Sequence, residues 1–165
     1  MAVTDGLTGL CNHRHFQERL VLEAERSTRN GLPLALLMVD VDHFKNYNDH
    51  NGHQAGDEVL RRVAQLLADG RRANDICARY GGEEFSVVLV DTSKLVAAQV
   101  ATRLVEKIAA TELPNAECQP KGRITASIGV ATFPGDANDS ETLIRAADAA
   151  LYRAKAGGRN RVALA

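Results

Sequence analysis

Four acidic residues stand where apolar segments end or begin. Asp40 and Asp42 close the run LALLMVDVD, and Glu83 and Glu84 follow two glycines ahead of a β-branched run. An unpaired carboxylate is very costly to bury, and adjacent like charges do nothing to stabilise a hairpin. If neighbouring strands bring these carboxylates to one point, they supply the oxygen ligands that a hard divalent cation such as Mg²⁺ requires. The alternative is a surface turn that happens to be acidic.

The glycine pair Gly81-Gly82 predicts a tight turn between strands at 76–80 and 85–90. Glycine adopts positive φ without strain, and a short hairpin turn demands that conformation. The glycines therefore explain the turn, whereas the glutamates that follow them need another reason.

Nucleotide phosphates would need positive charge, and the chain has no GxxxxGK[ST] loop. Lys45 follows the first acidic pair, and the segment AKAGGRNR near the end contains Lys155 and Arg159. We expect Lys155 and Arg159 to lie close together in space. The alternative for this segment is a helix end whose cations favour the helix dipole.

Composition sets the broad class of protein. A chain of 165 residues predicts one domain with its own core, and a net charge of -1 argues against general affinity for DNA, RNA or anionic lipid. The scattered Cys11, Cys77 and Cys118 predict free thiols in a reducing cytosol. The longest apolar run, 34–39, is too short to span a bilayer. We therefore expect a cytoplasmic domain without direct membrane insertion.

Hydrophobic periodicity predicts alternating helices and strands. The predicted helices are 12–29, one through Val59 to Leu67, 95–109, and 140–156 with Ser140 at its start. The predicted strands are 34–41, 76–80, 85–90, 123–133 and 161–164. The segment that opens with HFKNYNDHNG is polar and turn-rich, and 114–122 is a polar loop. This order predicts a mostly antiparallel sheet with helices on one side.

Five blocks of the sequence resemble the GGDEF domain of diguanylate cyclases, in the order of that family. They are DGLTGLCNHRHF, VDVDHFKNYNDHNGHQAGD, RYGGEEF, ASIGVA and DAALYRAKAGGRNR. The resemblance runs from residue 5 to residue 161 and implies an α+β fold (an α/β sandwich) of the nucleotidyl-cyclase type. In that fold a central, mostly antiparallel sheet with a βααββαβ core is surrounded by helices. The implied reaction converts two GTP into cyclic di-GMP and two pyrophosphates.

The resemblance also implies roles for single residues. The implied catalytic residues are Asp40, Glu83 and Glu84. The same three carboxylates and the Val41 carbonyl match the ligands of two Mg²⁺ or Mn²⁺ ions in the nucleotide site of each chain, with Asp42 as support. Such ions would prepare a ribose 3′-hydroxyl to attack the α-phosphate of the other GTP. The implied phosphate contacts are His43, Phe44, Lys45, Gly82, Lys155 and Arg159.

Two further sets of residues match sites for guanine. Asn48 and Asp57 match the guanine-reading pair, and a carboxylate accepts from N1–H and N2–H₂, which adenine lacks. We therefore expect GTP as the sole substrate. Arg72 and Asp75 in RAND, with Arg103, match the inhibitory site for the product cyclic di-GMP, and an Arg–Asp pair suits a guanine base. The alternative for Asn48 is a plain turn residue, and the alternative for Asp57 is an acid at a helix start. The alternative for Arg72 and Asp75 is a solvated ion pair of little energetic weight.

Each nucleotide-binding motif occurs once, so a reaction that joins two GTP needs two chains, arranged as a symmetric homodimer. We expect residues 1–165 to be one GGDEF domain excised from a longer bacterial protein, with an upstream sensory or receiver domain that could attach it to a membrane. His13 stands where the family often has arginine. The alternative function is a non-catalytic module that binds GTP or cyclic di-GMP.

Overall fold

The computed structural model describes residues 2–165, which contain one five-stranded sheet in the order β2-β3-β1-β4-β5. The strands are β1 Leu34–Val41, β2 Ile76–Arg79, β3 Glu84–Leu89, β4 Ala126–Phe133 and β5 Val162–Leu164. Neighbouring strands are antiparallel except β4 and β5, which are parallel. The prediction of an α+β fold with a mostly antiparallel sheet is therefore confirmed.

The same residues form five α-helices, of which the first precedes β1 and the others connect strands: α1 His13–Asn30, α2 Phe44–Asn51, α3 His53–Asp69, α4 Lys94–Ala110 and α5 Ser140–Ala156. Gly31 ends α1 with φ 65, as the Asn-Gly signal predicts. The predicted bounds of α5 are confirmed, and Asp139, the residue before the helix, caps its start. The Asp139 carboxylate accepts from the Thr142 amide at 2.7 Å, and the Thr142 hydroxyl accepts from the Asp139 amide at 3.2 Å.

Strand β1 is buried along its whole length, with side chains that alternate between two cores. Leu37 and Val39 pack in the core that α2, α3 and α4 cover, whereas Leu36 and Met38 pack in the core that α1 and α5 cover. The prediction of helices on one side is therefore wrong, since a strand that is apolar on both faces needs cover on both. The arrangement implied by the family resemblance, with helices around the sheet, is the observed one.

Helix α2 occupies part of the segment that the sequence predicts as polar and turn-rich. Only Phe44 and Tyr47 of this short helix are buried, so its apolar periodicity is weak. Its stability comes from tertiary contacts rather than from propensity. The Tyr47 hydroxyl, for example, donates to the Pro114 carbonyl at 2.6 Å.

The predicted polar loop before β4 contains two single 3₁₀ turns, Ala116–Cys118 and Pro120–Gly122. Gln119 between them is 4% exposed, and its Oε1 accepts from Asn46 Nδ2 of α2 at 2.7 Å. The loop is therefore attached to α2. The three cysteines are free thiols, as predicted. No helix within residues 2–165 has the length and apolar character needed to cross a membrane.

Candidate active site

The pairing of β1 with β3 brings the two acidic segments together. Asp40 lies directly opposite Glu84, and the Val41 amide donates to the Glu83 carbonyl at 3.2 Å. The Asp40 side chain is 7% exposed, and Lys155 Nζ at the end of α5 lies 2.8 Å from Asp40 Oδ2. The sheet thus joins the residues that the sequence predicts as metal ligands, and α5 adds a cation to them.

The pKa values of Asp40, Glu83 and Glu84 are all raised, and burial is the largest cause for each. Burial raises the pKa of Asp40, against the effect of its hydrogen bond with Lys155. Burial, followed by the charge of Asp40, raises the pKa of Glu83 and of Glu84. Carboxylate oxygens are hard ligands, so these three carboxylates beside the Lys155 ammonium fit a divalent cation by their chemistry. Within residues 2–165, no three acidic, histidine or cysteine side chains are already gathered around an ion-sized point.

The turn between β2 and β3 is formed differently from the prediction. The amides of Tyr80 and Gly81 both donate to the Glu84 carbonyl, at 2.8 and 3.1 Å. Neither Gly81 nor Gly82 has φ in the left-handed region, so the predicted reason for both glycines is wrong. A Cβ at Gly81 would lie 2.9 Å from Glu84 Oε2, so a larger residue there would displace the Glu84 carboxylate. A Cβ at Gly82 would meet no protein atom within 4 Å, so open space borders the turn.

Arg79 holds this turn in place, a role that the sequence analysis missed. Its Nε donates to the Gly81 carbonyl at 3.1 Å, and its Nη2 donates to the Gly82 carbonyl at 2.9 Å. Arg79 also pairs with Asp5 at 3.4 Å. Although burial opposes it, hydrogen bonds from Thr8 and Arg79 lower the pKa of Asp5. The available signal was the position of Arg79 at the head of RYGGEEF, which includes the turn.

Asp42 is 2% exposed and supports the end of β1 from inside. Its carboxylate accepts from Ser127 Oγ at 2.6 Å, from Thr125 Oγ1 at 2.8 Å and from the Asn160 amide at 3.0 Å. These bonds join the end of β1 to the start of β4 and to the turn after α5. The contacts suit the supporting role that the sequence analysis expects for Asp42.

The turn after β1 presents backbone amides at the start of α2. His43 caps this helix in the left-handed conformation with φ 52, and Lys45 in the first turn is exposed. Amides of a first helical turn lack intrahelical partners and favour phosphate groups. The buried Phe44 anchors the turn to the core. Arg159, exposed in the turn after α5, borders the same cleft as His43.

The predicted guanine-reading residues lie on successive helices, Asn48 on α2 and Asp57 on α3. Within the described chain, Asn48 Oδ1 is buried without a hydrogen-bond partner. Gly56, which the sequence analysis did not single out, leaves the space for it, because a Cβ at Gly56 would collide with this oxygen. Asp57 is half-buried at the edge of an open pocket. Two acceptors in this region suit the N–H donors of guanine.

The predicted inhibitory residues lie in the turn before β2 and on α4. Arg72 pairs with the buried Asp75 at 3.2 Å and donates to the Val90 carbonyl and to Thr92 Oγ1, both at 2.7 Å. Arg103 lies on α4, where it lines an apolar cavity against α3 and β3. The lining of that cavity includes neither Arg72 nor Asp75. It does include Arg71, the residue before Arg72. The structure therefore bonds Arg72 to Asp75, and within residues 2–165 no hydrogen bond or ion pair links Arg103 to either of them.

This fold and this acidic turn define a family. Residues 2–161 match the family described as "Diguanylate cyclase, GGDEF domain", and the chain belongs to it. The resemblance on which the sequence analysis relied is confirmed.

Curated relatives are similar in sequence to almost the whole chain. Response regulator PleD of Caulobacter vibrioides is 42% identical over 162 residues, which are 98% of this chain and 36% of the relative. Diguanylate cyclase DosC of Escherichia coli is 42% identical over 160 residues, which are 97% of this chain and 34% of the relative. The chain thus spans about a third of the length of these curated relatives.

Solved structures agree with the fold. The GGDEF domain of DgcB from Caulobacter crescentus, in complex with c-di-GMP, superposes with a TM-score of 0.91 at 36% identity, covering 99% of this chain and 93% of that one. A structure described as the active GGEEF domain of a diguanylate cyclase from Vibrio cholerae has a TM-score of 0.86 at 33% identity, covering 94% and 97%. This chain carries the same five letters at 81–85.

Proposed function

We propose that this chain is the catalytic domain of a diguanylate cyclase, which condenses two GTP into cyclic di-GMP and two pyrophosphates. The observation that carries the proposal is the pairing of Asp40 with Glu84 beside Lys155, in a chain of the GGDEF family. The names of several relatives, and the active GGEEF domain among the solved structures, support it.

In this proposal Asp40, Glu83, Glu84 and the Val41 carbonyl hold two Mg²⁺ or Mn²⁺ ions. When bound, such ions offset phosphate charge and lower the pKa of the ribose 3′-hydroxyl. The amides at the start of α2, with Lys45, Lys155 and Arg159, bind the phosphates. Gly82 leaves room for the nucleotide beside the turn. The carboxylate at Asp57 and the amide oxygen of Asn48 accept hydrogen bonds from guanine, which excludes ATP because adenine lacks those donors.

The test is incubation of the purified domain at high concentration with GTP and Mg²⁺, with chromatography for cyclic di-GMP. We expect product from the parent, none from Glu83→Ala, and unchanged product from Glu106→Ala, which removes the same charge from an exposed position on α4. ATP should give no product. If GTP gives no product even when a fused dimeriser joins two copies, the chain is a binding module.

We further propose that cyclic di-GMP inhibits the enzyme at Arg72 and Asp75, with Arg103 as a third contact. The Arg72 side chain is 59% exposed despite its internal bonds, so a guanine base can approach it from solvent. An Arg72→Ala variant should keep its basal rate and lose sensitivity to added product. A variant as sensitive as the parent would exclude this site.

A further inference from the structure

A cleft lies beside the proposed phosphate site. It has a volume of about 60 Å³ and lies between the end of β1, the turn after α5 and the segment that precedes β4. Its lining consists of Asp42, His43, Gln119, Pro120, Lys121, Arg123, Thr125, Gly158, Arg159 and Asn160. His43 and Arg159 already belong to the proposed phosphate contacts, so the cleft continues directly from that site.

The lining of this cleft is positively charged. Lys121, Arg123 and Arg159 are all exposed, and within residues 2–165 none of the three forms a salt bridge. Asp42 is the one carboxylate in the lining, and its oxygens already accept three hydrogen bonds inside the protein. Three cations without anionic partners around one cleft favour an anionic ligand.

The cleft is held rigid by Gln119. Its Nε2 donates to the His43 carbonyl at 3.1 Å, and its Oε1 accepts from Asn46 Nδ2 at 2.7 Å. Gln119 therefore ties the segment that carries Lys121 and Arg123 to the turn whose amides are proposed to bind phosphates. A ligand that bridges both sides would bind to a surface already in place, at little cost in ordering.

We propose that this cleft is a pyrophosphate site, in which Lys121 and Arg123 bind the β- and γ-phosphates of GTP and then the departing pyrophosphate. This inference rests on the proposed cyclase function. In that reaction the 3′-oxygen forms a bond to the α-phosphorus, and the bond from that phosphorus to the oxygen bridging the β-phosphate breaks. The bridging oxygen leaves with pyrophosphate, and the hydroxyl proton passes to solvent. The positive charges of Lys121 and Arg123 stabilise the negative charge that accumulates on the leaving group.

The test measures binding without turnover. Isothermal titration of the purified domain in Mg²⁺ would use inorganic pyrophosphate, and GMP as a ligand that lacks the β- and γ-phosphates. Two exposed cation–phosphate contacts of ordinary strength predict about tenfold weaker pyrophosphate binding in a Lys121→Gln/Arg123→Gln variant, with GMP binding unchanged. The control variant Arg29→Gln/Lys107→Gln removes the same charge from other surfaces and should bind both ligands as the parent does. Thermal melts would confirm that all three proteins are folded.

Two results would overturn the inference. The first is pyrophosphate affinity in the Lys121→Gln/Arg123→Gln variant equal to that of the control variant. The second is an equal loss of affinity for pyrophosphate and GMP, because that would indicate a general effect on the nucleotide site. Binding and synthesis are separate readouts. If the domain shows the predicted pyrophosphate binding but forms no cyclic di-GMP, the proposed pyrophosphate site stands and the proposed cyclase function is excluded.

Discussion

At the scale of single residues, Lys155 is the cation bonded to Asp40, the most buried of the three carboxylates proposed as metal ligands. Asp40 is 7% exposed on its side chain, and Lys155 Nζ lies 2.8 Å from it. A Lys155→Met variant leaves that charge without its partner and should lower the free energy of unfolding by about 1–3 kcal/mol, measured by urea denaturation without metal. A second change, Asp40→Asn, should restore much of the loss, because no charge then remains to be compensated. A double variant as unstable as Lys155→Met would show that the contact acts through packing.

The raised pKa of Glu83 predicts how stability varies with pH. The folded state holds the Glu83 proton to a higher pH than the unfolded state, where the ordinary value is 4.5. Below the unfolded-state pKa, the bound proton makes its whole contribution to the free energy of unfolding. That contribution is lost as the pH rises through the folded-state pKa. Glu83→Gln should therefore be more stable than the parent at neutral pH without metal, and the difference should disappear below about pH 4.

Urea midpoints at the two pH values would measure this difference. Excess Mg²⁺ should reduce the advantage of Glu83→Gln at neutral pH, because the ion stabilises the ionised site of the parent alone. A parent that is the more stable protein at neutral pH without metal would contradict the prediction.

At the scale of elements, Gly129 sets the distance between β4 and α5. A Cβ at this position would collide with the backbone of Ala147 and Leu151. Gly129→Ala should force α5 away from the sheet and lower the free energy of unfolding by about 1–3 kcal/mol. Nucleotide binding should weaken as well, because α5 carries Lys155. Thermal and urea unfolding would measure the stability, and a fully stable variant would show that α5 can shift without cost.

Gly82→Ala is the matched change at a position with open space around it. No protein atom lies within 4 Å of its Cβ, so stability should change by less than about 0.5 kcal/mol. Cyclic di-GMP synthesis should fall strongly, because the methyl group enters the space assigned to the nucleotide. Unchanged synthesis would show that the nucleotide does not approach this turn.

Elements with strong patterns were predictable from the sequence, and elements held by distant contacts were not. The buried run of β1 and the amphipathic pattern of α5 give the observed bounds Leu34–Val41 and Ser140–Ala156. Helix α2 has only two buried side chains and depends on the segment 114–122, which no local pattern connects to it. The candidate site divides in the same way: its acids lie in a recognisable motif, whereas Gln119 acts on His43 from 76 residues away.

At the scale of the whole molecule, the chain carries one set of each proposed nucleotide contact, so cyclic di-GMP synthesis should require two chains. At low enzyme concentration the rate per chain should rise in proportion to concentration, and it should become constant once pairs form. A fused dimeriser should keep the rate per chain constant through about a hundredfold dilution. An excess of Glu83→Ala should lower the parent's rate by capturing parent chains in inactive pairs. A constant rate per chain for the unfused domain, unaffected by added Glu83→Ala, would mean that a single chain completes the reaction.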